Sequence, residues 1–239
     1  MVNWLRRSRT KRVDAPRLRP RSEDAANATK VSLAELTPHH DRFLGQAAYL
    51  QLTLFENISA LVAEAPTIEA KEALSRAAAI SLERYQGLTK EIRRTADPAA
   101  VMGPYTAGID FFQGVTKGAT WYEGLVTSHI TAGILDDFFA RLAVGLPGAE
   151  AARVMEIYAT DSHEPLLAEL IRLGIAADPT LSSRLAMWGR RLVGDTMLVA
   201  RSALATEAAS APDESRIEPV FTELIAAHTR RMDALGLTA

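Results

Sequence analysis

Cysteine is absent from all 239 residues. Its absence removes disulfides, thiolate nucleophiles and cysteine-held metals, and it suits a cytoplasmic protein. No run of about 18 apolar residues occurs, so no membrane span is expected. The N-terminus is basic but lacks the apolar segment of a secretory signal. Alternating runs of strand type are missing too. So are a Gly-rich phosphate loop and a nucleophile elbow, and His163-Glu164-Pro-Leu-Leu lacks the second histidine of a zinc-protease motif.

What is present begins with an uneven charge. Residues 1–30 hold nine basic residues against three acids, a net of +6; with −2 overall, the remainder carries −8. This first stretch is rich in Arg, Pro and Ser, has little to bury, and is expected to be a disordered arm ahead of a single domain over 31–239. The arm is either a solvated tail or an electrostatic contact for RNA or an anionic surface. No aromatic follows Trp4 in it, so a base-stacking platform is not expected.

From Val31 onward the apolar pattern is helical, and Pro and Gly fall at the breaks. Long helices are expected over 39–64, 67–96, 119–145, 149–174, 179–209 and 213–235, with a short one over 105–116. Thr67 is placed to cap the second, and Asp178 before Pro179 to start the fifth. Pro165 should kink the fourth near Asp161, or mark a break with Ser162 capping its second part. Four long helices with a longer connection between the second and third describe a four-helix bundle. The fold class is therefore all-α, with extra C-terminal helices.

Stepping by threes and fours along each helix gives one inward stripe. The stripe of the third long helix reads Glu123, Val126, Ile130, Gly133, Asp137, Ala140, Val144. Each stripe carries polar groups among apolar ones: Gln51; Ser81 with Arg84; Glu123 and Asp137; Thr160 with His163; Asp195. Glu123 and Asp137 are fourteen residues apart, about 21 Å along a helix, too far for one small site. Asp137 is the central candidate, Glu123 a helix-start acid, and Asp136 reads as solvated. Trp121, Trp188 and Tyr85 read as packing residues. His129 and His228 read as surface or satisfied core histidines.

Four short strings carry a resemblance: Trp121-Tyr-Glu-Gly-Leu-Val, Gly133-Ile-Leu-Asp-Asp-Phe138, Asp161-Ser-His163 and Gly189-Arg-Arg-Leu-Val-Gly-Asp195. Together they resemble the ferritin-like proteins of actinobacteria related to the tRNA hydroxylase acting on methylthio-isopentenyl adenosine, over about residues 40–205. The resemblance implies a ferritin-like bundle and a carboxylate-bridged di-iron site that activates oxygen. Such a site takes a carboxylate and a Glu-x-x-His from each half of the bundle. This chain has no Glu-x-x-His at all. Where ligands would match stand Gln51, Ser81, Arg84, Asp137, Thr160 and His163, and only Asp137 and His163 keep ligand chemistry.

Two readings are open. In the first, Arg84 pairs with Asp137, Asp195 or both, Gln51, Ser81, Thr160 and His163 join the network, and no cofactor is expected. The protein would then bind a protein partner or a small ligand without redox chemistry. In the second, two iron ions are held in another register by Glu56, Glu83, Asp137 and His163, and the protein is a hydroxylase, with tRNA a candidate substrate. A homo-oligomer and an unrelated helical scaffold remain open.

Overall fold

The structure, a computed structural model, describes residues 36–204 and 214–237, the side chains of 214–217, 219 and 220 excepted. The basic arm expected over 1–30 lies outside the described residues. The described residues are helical, without strands: α1 His40–Glu64, α2 Ile68–Ile92, α3 Pro98–Met102, a 3₁₀ turn Gly103–Tyr105, α4 Thr106–Thr116, α5 Trp121–Ala143, α6 Ala149–Tyr158, α7 Glu164–Ala177, α8 Thr180–Leu204 and α9 Glu214–Ala234. Among them no helix is long and apolar enough to cross a membrane.

The ends follow local chemistry. Thr67 accepts a hydrogen bond from Ala70 N at 3.1 Å and starts α2. Asp97 does the same for α3, ahead of Pro98. Thr120 and Glu123 form a reciprocal capping box at the start of α5, which satisfies two backbone donors left over by the first turn. The expected helix over 149–174 is two helices. Pro165 has no N–H to offer, and the chain breaks at 159–163; Ser162 Oγ then accepts from Glu164 N at 3.1 Å. In the connection between the second and third long helices, a short α3 and a 3₁₀ turn precede the helix expected over 105–116.

α1 and α2 form an antiparallel hairpin. α5 is the central helix and touches α1, α6, α7, α8 and α9. It is buried nearly all round, including Leu125, Ile130, Ile134, Phe138 and Leu142. That is why its pattern shows no solvent face. Two apolar clusters fill the bundle. One collects Phe43, Leu44, Leu88, Phe138, Phe139 and Leu142. The other collects Ile58, Leu74, Leu125, Ile130, Leu167 and Leu185. On α1 the boundary between them falls at Gln51, on α2 at Ser81 and Arg84, and on α5 next to Asp136. A polar layer thus crosses the waist of the bundle.

Candidate functional site

Arg84 is the centre of that layer. Its side chain is 3% exposed, and Nη1 donates to Asp136 Oδ2 at 2.6 Å. Nη2 donates to the carbonyl of Asp161 at 3.1 Å, in the break between α6 and α7. Its guanidinium also lies 5.6 Å from the ring centroid of Tyr158. Gln51 Nε2 donates to the other carboxylate oxygen of Asp136 at 2.7 Å. One carboxylate therefore ties α1, α2 and α5 together, and the guanidinium adds the α6–α7 break.

His163 Nε2 lies 3.4 Å from Asp136 Oδ2 but makes no hydrogen bond. Burial pushes the His163 pKa down and Arg84 adds to this, while Asp136 opposes it. Burial, then the charge of Asp136, raise the Tyr158 phenol well above its usual value. Ser81 Oγ and Arg84 Nε are buried without partners among the described residues.

Several expectations are corrected by this geometry. The acid facing Arg84 is Asp136, not Asp137. From Gly133 a step of three reaches Asp136 and a step of four reaches Asp137, and on a helix buried nearly all round both point at neighbours. Asp137 lies about 100° further round the helix and accepts from Arg231 Nη2 of α9 at 2.5 Å. Arg231 Nε donates to Glu164 at 2.9 Å. Asp195 is half-buried in a surface groove with Arg42, Tyr105 and Leu198, away from the layer. Thr160 is exposed and bonds the Ile157 carbonyl. Glu56 and Glu83 are both exposed, so neither reaches into the waist.

The Arg231 cluster was not anticipated. Its guanidinium lies over Gly133, where a Cβ would come within 2.9 Å of Nε. Burial would lower the Arg231 pKa, but Asp137 and then Glu164 raise it overall. Beside it sits His129, buried, with neither ring nitrogen partnered among the described residues. Burial lowers the His129 pKa to about 4; Glu164 opposes the shift, and Arg231, His163 and His228 reinforce it. His228 on α9 is lowered to about 4 by burial and by Arg231. Both histidines are buried rather than surface groups, and no sequence spacing links α9 to Gly133. Glu123 is the helix-start acid it was expected to be. Trp121 and Trp188 pack as expected and bond the Leu61 carbonyl and Thr127 Oγ1.

A family model described as "Ferritin-like domain, actinomycetes" matches residues 17–211. The chain belongs to this ferritin-like family. The match ends before α9, so Arg231 and His228 stand outside the matched region. Among curated proteins none matches the chain. A ferritin-like bundle raises the matter of a di-metal centre, and the donor set at the waist does not fit one. Among the described residues there, Asp136 and His163 alone offer a carboxylate or an imidazole, and the carboxylate is already held by Gln51 and a guanidinium. Arginine has no lone pair to give and does not shed its charge. Among the described residues no three of His, Asp or Glu are grouped to hold a metal ion.

Proposed function

We propose that this ferritin-like protein is a non-catalytic binding protein, with a buried Arg84–Asp136 ion pair in place of the metal centre of a tRNA-hydroxylase-like ancestor. The observation that carries this reading is the Arg84 guanidinium at 2.6 Å from Asp136 in the waist of the bundle. A fixed cation there neutralises the Asp136 carboxylate without redox chemistry. Glu56 and Glu83, which an alternative iron site would require, are at the surface. The bundle then serves as a scaffold for a protein partner or a small ligand. The +6 charge of the first 30 residues supports a separate electrostatic contact with an anionic partner.

The test is elemental analysis of the full chain after expression in medium supplemented with iron and manganese. The expected result is no stoichiometric metal in a folded protein. About two metals per chain, the complement of a di-iron bundle, would overturn the proposal.

A further inference from the structure

The outer face of α8 has properties that the fold does not use. Met187 is 65% exposed and Leu198 is 66% exposed. They are eleven residues apart, about three turns, and so share one face. Between them is Gly194, where a Cβ would meet nothing within 4 Å. An interior glycine weakens a helix, and open space above it gives the monomer no packing return. Two apolar grooves flank this face and meet at Leu198. One, about 410 Å³, runs between α4 and α8 past Phe111 and Val115. The other, about 380 Å³, runs between α8 and α9 past Phe221 and Ile225. Phe111 is 73% exposed. A patch continuous over three helices is a recognition surface rather than scattered surface apolarity.

We propose that this face binds a second copy of the chain, with the two α8 helices antiparallel about a two-fold axis at the level of Val193. The charges select this arrangement. Arg191 and Asp195, one turn apart, share one edge of the face; Asp195 borders the groove with α4, and the Arg191 guanidinium lies 5.5 Å from the ring centroid of Trp188. A two-fold axis at Val193 sets Arg191 of each copy opposite Asp195 of the other, so two ion pairs form by symmetry. A parallel pair would instead set the Arg191 edge of one copy against the opposite, Arg190 edge of the other. In the antiparallel register Met187 comes within one residue's rise, about 1.5 Å, of the level of Leu198 of the second copy. The two Gly194 positions meet near the axis, where missing side chains let the backbones approach. Arg184 falls opposite Ser202, so the register brings no like charges together along this edge. α8 is about 37 Å long. With the grooves on both sides it matches the scale of a standard interface, roughly 800 Å² per copy.

Sedimentation velocity of the full chain across a range of concentrations tests the proposal. A reversible dimer is expected. Leu198→Glu and, separately, Met187→Glu should weaken it by about tenfold or more, while far-ultraviolet dichroism and Tm stay near the parent values because both side chains are exposed. Arg191→Glu alone and Asp195→Lys alone should each weaken the dimer, and the Arg191→Glu/Asp195→Lys double variant should restore it. Rescue by the double variant supports the antiparallel register. A monomer at all concentrations would overturn the proposal, as would a dimer indifferent to both glutamate variants, which would place the interface on another face.

Discussion

At the scale of single residues, Arg84 and Asp136 matter most because each is buried against the other's charge. Removing one leaves the other stranded in a poorly solvated layer. Arg84→Met should therefore lower the unfolding free energy by about 3–5 kcal/mol, read from urea titrations at neutral pH. The Arg84→Met/Asp136→Leu double variant should recover much of that loss, since no charge is then left unpaired. If the single and double variants are equally destabilised, the pair contributes by packing alone. Gln51→Leu should cost less, on the order of 1–2 kcal/mol, because Asp136 keeps its guanidinium.

At the scale of elements, the starts of helices were the most readable features. Thr67 caps α2 through its own hydroxyl, and such a cap depends on only a few neighbouring residues. Thr120→Ala should destabilise the protein by about 1 kcal/mol, measured by thermal unfolding. Loss beyond this would mean that the capping box also holds the α4–α5 connection. Tertiary packing decided how helices were divided and faced. Pro165 allowed either a kink or a break; the chain forms two helices, and Arg84 donates to the freed Asp161 carbonyl. α9 is the element whose placement was least legible. It docks through Arg231 on Gly133 and through Met232 against Gly189; Met232, and Leu237 just beyond the helix end, are completely buried. Arg231→Ala should leave Asp137 and Glu164 without their shared cation. Because Asp137 and Glu164 are partly exposed, the expected cost is modest, about 1–2 kcal/mol. Hydrogen exchange should show the loosening concentrated in α9.

At the scale of the whole molecule, three buried histidines from different elements meet around Arg231 and Arg84. The pKa of His129 and of His228 falls from 6.5 to about 4, and that of His163 is also lowered. Below pH 6.5 the unfolded chain takes up protons that the folded chain refuses until about pH 4. Stability is therefore full above pH 6.5 and falls as the pH drops through this window. Urea midpoints measured from pH 7.5 to 4 should decline, and His129→Leu should flatten the decline. A profile unchanged by that substitution would mean that His129 is not a group driving it.

The sequence alone determined that the chain is helical and bundle-like. Helical periodicity, helix caps and the breaks at Pro and Gly are local properties, written within a few residues of where they act. It also determined that the waist of a ferritin-like bundle carries arginine in a chain without Glu-x-x-His. Only the tertiary structure decided which acid answers that arginine. Asp136 and Asp137 are one residue and about 100° apart on a helix buried nearly all round, so neighbouring helices, not periodicity, choose between them. The same holds for Arg231, whose partners Asp137 and Glu164 are 94 and 67 residues away. A contact of that kind is set by how α9 packs, and no spacing within a helix encodes it.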